Sequence, residues 1–382
     1  MSAPVLDGVS DRALRLWREA VVIDMHDDMP SRVLDEGYDP DVRHESTEGH
    51  TDLPRLVESG VTAEFLAAWV DASYARRRPD ASYARALLQI DTIRAFVGRH
   101  PGTLLLATSG ADVRRAKREG KVAIGIGVEG GHAIEASLDK LRDLHARGAR
   151  YLTLTWNNGN QWAGSSIGTN GTSTGGLTPF GRDVIREMNR LRMLVDVSHV
   201  SDRTFDDVLA TSSAPVIASH SSARALADHP RNLTDDQLRA IARAGGVTNV
   251  NFYSRFIDAR FRSAMDAVEA RVRATPEHEL RARGGAVEAG RRALERELIA
   301  AIPPTPLSVL VDHIEHIARV AGVEHVGLGS DFDGIAATPE GMRDVTHLPR
   351  LAQALLDRGW TEEDVAKIVG GNMLRVLDDV LG

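Results

Sequence analysis

Imidazole and carboxylate side chains follow several short apolar runs of this sequence, and these residues are the best suited to chemistry. His26 and Asp28 close the first run, two positions apart in a stretch that is predicted to be still extended. Because alternate side chains of an extended chain point the same way, this pair is predicted to chelate one metal ion. Four later runs end in single groups of the same kind, namely Glu129, His199, His220 and Asp331. The sequence therefore predicts a metal site that gathers side chains from five separate runs.

The chemistry of these side chains narrows the metal and the reaction. The chain has no cysteine, so any ion must be held by nitrogen and oxygen atoms. Such donors suit zinc, manganese, cobalt or iron, and the histidine content makes zinc the default. A carboxylate such as Glu129 can bridge two ions about 3.5 to 4 Å apart, with a hydroxide between them as the nucleophile. This arrangement is typical of a hydrolase.

Eight short runs of β-branched and apolar residues recur along the chain, with stretches of helical spacing between them. The predicted strands are residues 21–26, 63–70, 122–130, 151–156, 194–199, 216–221, 247–252 and 325–331. The predicted helices include residues 139–147, 181–192, 201–211, 234–244 and 306–321. Strands that alternate with helices indicate an α/β fold with a parallel sheet, and eight such strands close a TIM-type (β/α)8 barrel. Catalytic groups of that fold project from the carboxyl ends of the strands, which is where the candidate ligands fall.

The chain is predicted to form one barrel domain over residues 1–382, because no composition break or linker divides it. An Arg, Glu and Ala-rich segment at about residues 258–304 is predicted to be a helical insertion between the seventh and eighth strands. The Gly, Ser and Thr-rich stretch 164–176 is predicted to be a functional loop at the barrel mouth. The expected architecture is thus a barrel with additional helices.

Charge and hydropathy exclude several kinds of partner. The formal net charge is -8, and acidic and basic residues are interspersed, so no nucleic-acid partner is expected. The first twenty residues are interrupted by charges and lack the apolar core of a secretory signal. No apolar run approaches the length of a membrane span, so no membrane partner is expected either. These features together predict a cytoplasmic protein.

Two other patterns receive plainer interpretations. Residues 125–130 fit the dinucleotide pattern G-x-G-x-x-G, but the glycines fall inside a predicted strand instead of opening a helix. They are predicted to leave room in a crowded barrel interior. His313 and His316 lie three positions apart and are predicted to share a solvated helix face, since no third ligand is evident nearby.

Five motifs together resemble those of the membrane dipeptidase, or renal dipeptidase, family of binuclear zinc peptidases. They are DMHDD at 24–28, GVEGGH at 127–132, DVSH at 196–199, SHSSA at 219–223 and GLGSDFDG at 327–334. The resemblance covers nearly the whole chain, and the motifs in combination are highly specific. It implies an amidohydrolase-like barrel that cleaves the amide bond of a dipeptide, including dipeptides with a D-residue at the carboxyl end.

The resemblance also implies a role for each site residue. Two zinc ions are expected, the first held by His26 and Asp28, the second by His199 and His220, and both by Glu129. Asp331 is implied as the acid/base that takes a proton from the hydroxide and delivers it to the departing amine. Arg231 matches the position that binds the terminal carboxylate of the substrate, which a guanidinium can hold through two hydrogen bonds. Tyr253 is expected to assist in substrate binding.

One departure from the family pattern follows the fourth strand. Many members carry there a histidine that contacts the substrate carbonyl, whereas this chain has Trp156 followed by Asn157. An indole donates one hydrogen bond but cannot act as an acid or a cation. Trp156 and Asn157 are therefore predicted to face the substrate and to shift its selection away from the usual dipeptides.

Two other functions remain open on the sequence. A related amidase would use the same metals on an N-acyl amino acid, a lactam or a specialised metabolite, and Trp156 favours it. A barrel that has lost catalysis would be a binding protein or scaffold, against which the full set of ligand-type residues argues. The resemblance alone suggests a homodimer.

Overall fold

The structure, a computed structural model, describes residues 7–168, 175–284 and 287–382. Within these ranges the strands are β1 (Ile23–Asp27), β2 (Ala63–Trp69), β3 (Leu104–Leu106), β4 (Val122–Glu129), β5 (Ala149–Thr153), β6 (Leu194–Asp196), β7 (Val216–Ala218), β8 (Val247–Val250) and β9 (Val326–Leu328). The parallel pairing runs β2, β1, β9, β8, β7, β6, β5, β4, and β2 pairs with β4 over seven residues to close the ring. The predicted TIM-type (β/α)8 barrel is confirmed.

Strand β3 lies outside that ring and was not predicted. It pairs with residues 122–124 at the start of β4, whereas β5 pairs with the second half of the same edge, residues 126–129. Because β4 is eight residues long, one of its edges can accept two short neighbours in succession. A run of three leucines carries too little pattern to be recognised as such a strand.

Helices follow most strands and pack outside the barrel. They are α1 (Asp11–Glu19), α2 (Met29–Glu36), α3 (Leu53–Ser59), α4 (Ala81–Arg99), α5 (Gly110–Glu119), α6 (Leu138–Ala146), α7 (Pro179–Arg190), α8 (Asp202–Thr211), α9 (Asp235–Arg243), α10 (Ser254–Ile257), α11 (Ala259–Ala274), α12 (Glu277–Gly284), α13 (Val287–Ala300), α14 (Leu307–Ala321), α15 (Pro349–Asp357), α16 (Glu362–Ala366) and α17 (Asn372–Leu381). The predicted helices correspond to α6, α7, α8, α9 and α14. Four of these starts have a local cause, because hydroxyl groups accept a hydrogen bond from a first-turn N–H: those of Ser137, Thr178, Ser201 and Thr234.

Two glycines of β4 make room for aromatic rings inside the barrel. A Cβ on Gly125 would lie 2.4 Å from the ring of Phe65, and one on Gly127 would lie 1.9 Å from the ring of Tyr151. Neither approach leaves space for a side chain, so both positions require glycine. The first two glycines of the G-x-G-x-x-G pattern therefore serve packing, as predicted, and Gly127 makes room for the Tyr151 ring.

Segments outside the barrel include the long connection between β8 and β9. Helices α11, α12 and α13 occupy most of it and bury a small apolar cluster of their own, formed by Val268, Val272, Leu280 and Leu294. Of the predicted loop at 164–176, residues 169–174 lie outside the described residues. In the part of the chain that the structure describes, no helix combines the length and the apolar character needed to cross a membrane.

The predicted solvated position of His313 is wrong. His313 is fully buried in α14, where its Nδ1 accepts a hydrogen bond from the Ala223 N–H at 3.1 Å. Its Nε2 donates to the carbonyl of Ile257 at 3.0 Å. His316, one turn further, instead bonds to Asp235 at the helix surface. His313 therefore ties together the loops that follow β7 and β8, which carry residues of the candidate site.

Candidate metal centre and its cavity

The six predicted ligand-type side chains come together at the carboxyl ends of β1, β4, β6, β7 and β9, and all are buried. His26 lies within β1 and Glu129 is the last residue of β4, whereas the other groups lie just beyond their strands. The prediction that His26 and Asp28 both lie in an extended stretch is wrong. Asp28 has left the extended conformation (φ -97°, ψ 15°) and directly precedes α2. The pair nevertheless converges, with His26 Nε2 3.6 Å from Asp28 Oδ2.

Glu129 occupies the centre of the cluster. Its Oε1 lies 2.9 Å from His199 Nε2 and 3.4 Å from His220 Nε2, and its Oε2 lies 3.4 Å from His26 Nε2. One carboxylate thus faces all three imidazoles, with Oε1 toward His199 and His220 and Oε2 toward His26. Asp331 lies on the His26 side, since the Asp331 and Asp28 carboxylates and the His26 imidazole offer ligand atoms within 4.8 Å of one another. A carboxylate that is shared between two metal ions is expected to have this arrangement.

Backbone strain accompanies the cluster. His199 (φ 67°) and Asp331 (φ 63°) adopt the left-handed region, which residues with a Cβ rarely enter. Such conformations cost about 1 to 3 kcal/mol each and collect at functional sites, where the surrounding structure enforces them. A further close approach occurs at Gly334, where a Cβ would lie 2.1 Å from Asp28 Oδ2 and 2.6 Å from Asp331 Oδ1. The two carboxylates therefore depend on a glycine beside them.

Hydrogen bonds at Nδ1 orient two of the imidazoles, those of His26 and His220, so that Nε2 faces the cluster. Tyr151 OH lies 2.8 Å from His26 Nδ1, which leaves Nε2 for a metal when Nδ1 carries the hydrogen. Ser219 Oγ donates to Asp196 Oδ2 at 2.6 Å and therefore accepts from His220 Nδ1 at 2.8 Å. These supporting groups, Tyr151, Ser219 and the fully buried Asp196, were given no role from the sequence.

The ionisation of the cluster follows from burial and from mutual charges. Burial alone would raise the pKa of Glu129, but His26 and the hydrogen bonds from His199 and His220 outweigh it and hold this pKa well below its usual range. Burial lowers the pKa of His199 to about 4 and holds that of His220 well below its usual range. Glu129 is therefore charged and both imidazoles are neutral, which is the protonation state that metal ligands require.

Asp331 differs from Glu129 in its environment. Burial raises the pKa of Asp331 to about 8, and the neighbouring carboxylates Asp28 and Glu129 add to the rise, while His26 opposes it. Bound cations would lower the pKa of Asp331. Asn251 Nδ2 donates to Asp331 Oδ2 at 2.8 Å, and Asn251 Oδ1 accepts the Tyr253 N–H, which fixes the orientation of the amide. Asn251, a strand-end residue after β8, was missed as the partner that holds Asp331.

Several observations test whether these residues fit metal ions. His26 Nε2, His199 Nδ1 and Asp28 Oδ1 are buried atoms with no hydrogen-bond partner in the described ranges. His199 Nε2 and His220 Nε2 lie 3.0 Å apart, and both face Glu129 Oε1 at 2.9 and 3.4 Å. Buried polar atoms are rarely left without a partner. Imidazole nitrogens and carboxylate oxygens are the donors that zinc takes in hydrolases, so the donor set fits this metal.

A cavity of about 320 Å³ opens over the cluster. Trp69, Trp156 and Asn157 line one side, and Tyr253 and Phe256 line another. The rings of Trp69 and Trp156 meet edge to face with centroids 5.1 Å apart, and the Trp156 centroid lies 6.5 Å from that of His199. Trp156, Asn157 and Tyr253 thus all line the cavity, together with the aromatic residues Trp69 and Phe256, to which the sequence gave no role.

Arg231 is buried close to His220 instead of lining the open cavity. Its NH2 donates to the carbonyl of His220 at 3.1 Å, and its guanidinium carbon lies 5.4 Å from the centre of the Phe256 ring. Burial lowers the pKa of Arg231 to about 10, so the group stays charged at neutral pH. No carboxylate of the described residues forms an ion pair with it, and its Nε has no partner there. A buried guanidinium in this state is suited to accept an anionic ligand.

A closed parallel barrel with buried imidazoles and carboxylates at its mouth is the architecture of metal-dependent hydrolases. The chain belongs to the membrane dipeptidase family, peptidase family M19, whose sequence model matches residues 10–381. This confirms the resemblance that the five motifs indicate.

Solved structures similar to this chain come from the same family or carry related names. The probable dipeptidase PvdM from Pseudomonas aeruginosa is 25% identical with a TM-score of 0.83, and the match covers 97% of this chain and 98% of that chain. The metallopeptidase called dipeptidase AC, of family M19, is 29% identical with a TM-score of 0.77, covering 95% and 99%. A metallopeptidase from Rhodobacter sphaeroides, liganded with a phosphinate mimic of L-Ala-D-Ala, is 28% identical with a TM-score of 0.76, covering 94% and 99%.

Proposed function

We propose that this chain hydrolyses the amide bond of dipeptides with the help of two zinc ions, and that dipeptides with a D-residue at the carboxyl end are among its substrates. The observation that carries the proposal is the buried cluster in which Glu129 faces His26, His199 and His220 at 2.9 to 3.4 Å. The Rhodobacter sphaeroides metallopeptidase supports the substrate class, because that protein is liganded with a mimic of L-Ala-D-Ala.

The residues that would hold the ions follow from the cluster. His26 and Asp28 are proposed to hold one ion and His199 and His220 the other, with Glu129 shared between them. When bound, the ions would polarise the scissile carbonyl and lower the pKa of a water so that a nucleophile forms at neutral pH. His199 and His220 are neutral and Glu129 is charged, so these three groups would bind cations without first losing protons. His26 differs, because Tyr151 and Glu129 outweigh burial and raise its pKa well above its usual value, so His26 would lose a proton as a cation binds.

Asp331 is proposed to move the proton during the reaction. Asn251 occupies its Oδ2 with a hydrogen bond of 2.8 Å, which leaves Oδ1 to hold a proton and to deliver it to the amine nitrogen that departs. The left-handed backbone of Asp331 and its N–H bond to the His26 carbonyl at 3.0 Å keep the carboxyl group at the mouth of the cavity. General acid/base transfer of this kind contributes about 10² to 10⁴ in rate.

Arg231 and the aromatic side chains are proposed to bind and orient the substrate. The charged guanidinium beneath the His220 carbonyl would take the free carboxylate of a dipeptide, which selects short substrates with that group at a fixed distance from the scissile bond. Trp156, Asn157 and Tyr253 line the cavity and would exclude water around the rest of the substrate.

A second candidate is an amidase that acts on an N-acyl amino acid or a lactam. The observation that favours it is Trp156, whose indole lines the cavity 6.5 Å from the His199 ring where an acidic or cationic group would stabilise a carbonyl oxygen better. Both candidates use the same metal residues and Asp331. They differ in whether the cavity requires a free amino group on the residue that precedes the scissile bond.

The experiment is a substrate panel on purified, zinc-loaded chain, with Asp331→Asn as the inactive control. L-Ala-L-Ala, L-Ala-D-Ala, D-Ala-L-Ala and N-acetyl-L-alanine are compared for amine release. Cleavage of a dipeptide that is lost in Asp331→Asn supports the dipeptidase, and cleavage of N-acetyl-L-alanine alone supports the amidase. A chain that neither retains zinc nor cleaves any member of the panel contradicts both.

The barrel and its helical insertion are proposed to work as one domain. The six groups of the cluster are spread from position 26 to position 331, so no shorter part of the barrel would contain them all. Removal of residues 264–300 would test the insertion: retained zinc binding would show that the barrel forms its centre without these helices.

A further inference from the structure

A second and larger cavity, of about 690 Å³, lies beside the catalytic one. Its walls come from the connection between β2 and α4 and from the segments after β4 and after β5. Trp69 and Trp156 line the catalytic cavity, whereas Ala72 and Asn158, two to three residues further along the same segments, line the second one. The two cavities are therefore bordered by consecutive parts of the same two segments, and they have no lining residue in common.

Three consecutive arginines, Arg76, Arg77 and Arg78, line this second cavity and are exposed. In the ranges that the structure describes, none of them forms an ion pair with a carboxylate. Arg77 packs over the Tyr74 ring with its guanidinium carbon 3.9 Å from the ring centre, an arrangement that holds the charge at the rim. Unpaired arginines in succession produce a local positive field in a chain whose net charge is -8.

One acidic side chain lines the cavity, and its charge is already compensated. Glu135 Oε2 accepts a hydrogen bond from Lys140 Nζ at 2.6 Å, and Glu135 Oε1 accepts the N–H of Ser82 at 3.0 Å. These contacts lower the pKa of Glu135 against the rise that burial would cause, so Glu135 is charged and already paired with Lys140, which also pairs with Asp80 at 2.7 Å. The arginine charges are thus left for another partner.

Buried polar groups in the wall of the cavity also lack partners. Asn158 Oδ1, Trp162 Nε1 and Ser82 Oγ belong to residues at most 4% exposed, and none has a hydrogen-bond partner among the described residues. Native proteins usually satisfy such groups with protein, water or a ligand. A volume of about 300 to 1,000 Å³ with a few convergent polar groups is typical of a small-molecule site.

We infer that the second cavity binds a small organic molecule with two negative charges, such as a phosphomonoester or a dicarboxylate, through Arg76 and Arg78. The planar guanidinium offers paired N–H donors that match both phosphate and carboxylate oxygens. Arg77 holds the rim by packing on Tyr74, and the neutral polar groups of Asn158 and Trp162 face the organic part. This site is separate from the metal cluster and does not depend on the reaction catalysed there.

The test is calorimetric titration of the zinc-loaded chain with two probes, glycerol 3-phosphate and succinate. The double variant Arg76→Gln/Arg78→Gln is compared with Arg118→Gln/Arg271→Gln, which removes the same charge from exposed arginines of α5 and α11. Ala75→Trp supplies a variant that fills the cavity without changing its charge, since Ala75 lines it and is exposed. We expect the cavity double variant and Ala75→Trp each to weaken binding at least tenfold, and the control double variant to change it less than twofold.

Preference between the probes identifies the anionic group, because glycerol 3-phosphate and succinate differ in that group at similar size. Failure of both probes to bind overturns the inference. Equal weakening in the two double variants would show attraction to overall charge, and binding that persists in Ala75→Trp would place the anion outside the cavity. Binding that is unchanged in the cavity double variant would place the probe at the catalytic metals, which also contradicts the inference.

Discussion

The two cavities at the barrel mouth differ most in charge. The cavity over the candidate metal cluster, called the catalytic cavity after the proposed function, is lined by the single cation Arg32 and by the carboxyl groups of Asp28, Asp35, Glu36, Glu129, Asp331 and Asp333. The neighbouring cavity is lined by three arginines against the compensated Glu135. Buried like charges destabilise a fold unless an opposite charge joins them, whereas exposed arginines remain solvated. Cations would therefore stabilise the buried carboxylates of the first cavity, whereas the exposed arginines of the second would attract anions.

The difference also shows in how each cavity is built. The proposed metal ligands and Asp331 come from strand ends and are buried, and further hydrogen bonds hold them in place. The arginines come from a single exposed loop and hold their positions mainly through the stacking of Arg77 on Tyr74. Groups on strands are fixed closely enough for catalysis, whereas groups on loops suit binding that tolerates small movements.

The largest effect is expected from Glu129→Gln, which removes the negative charge at the centre of the catalytic cavity. Hydrolysis should fall to the background rate and bound zinc should decrease, because the neutral amide cannot balance the charge of two cations. Metal analysis and dipeptide hydrolysis measure both effects. Glu119→Gln, an exposed position on α5, is the matched control and should retain zinc and activity. Full zinc content in Glu129→Gln would show that the charge of Glu129 is not needed to hold the cations.

A smaller effect is expected at the wall between the cavities. Trp156→His restores a group that can donate a proton or a charge-assisted hydrogen bond to a carbonyl oxygen, and such a donor contributes about 10² to 10³ in turnover. The variant should gain kcat on simple dipeptides if Trp156 has shifted selection away from them. Steady-state kinetics on L-Ala-L-Ala and L-Ala-D-Ala measure this, with Trp156→Phe as a control that lacks the donor. Fast cleavage of these dipeptides by the unmodified chain, with no gain in Trp156→His, would show that the indole does not lower the rate of dipeptide hydrolysis.

Arg231→Met should raise KM more than it lowers kcat. A hydrogen bond to a charged group contributes about 1.5 to 3 kcal/mol, so the expected loss for a dipeptide with a free carboxylate is about 10- to 100-fold. Comparison with the same dipeptide as its carboxyl-terminal amide isolates the effect, since the amide carries no charge for Arg231 to bind. Equal losses on the acid and on the amide would indicate a general disturbance near His220 instead of carboxylate binding.

The smallest effect is expected from Tyr151→Phe, which removes one hydroxyl beneath the catalytic cavity. Loss of the 2.8 Å contact to His26 Nδ1 should weaken zinc affinity by about tenfold, in line with other groups that orient a metal-binding histidine. Competition with a zinc chelator measures the affinity directly. Tyr83→Phe removes a hydroxyl that bonds to Asp143 far from the cluster and should leave zinc affinity unchanged. Identical affinities in the two variants would leave Tyr151 with a packing role only.

Much of the catalytic cavity could be predicted from the sequence because its groups occupy strand ends. The strand runs preceding His26, Glu129 and His220 are apolar and regular, so their carboxyl ends could be located and the residues there compared. The barrel itself could be predicted from the same alternation of strands and helices. Strand β3 was not predicted, because three residues are too few to show a periodicity. The chelation argument for Asp28 failed in its detail because the chain turns into α2 immediately after β1.

The supporting layer could not be predicted in the same way. Tyr151 is an ordinary aromatic strand residue in sequence, and only the missing side chain of Gly127 brings its ring beneath His26. Asn251 and Asp196 act through contacts between different strands, which depend on the register of the closed barrel. The burial of His313 likewise depends on which face of α14 meets the barrel. Pairings between distant segments are tertiary information that local patterns do not contain.

The position and number of bound ions decide whether the buried cluster is a binuclear centre. Anomalous diffraction at the zinc absorption edge, from crystals of the zinc-loaded chain, shows each ion directly. Two peaks are predicted, one at His26 and Asp28 and the other at His199 and His220, with Glu129 contacting both. A single peak, or peaks that avoid Glu129, would contradict the proposed centre.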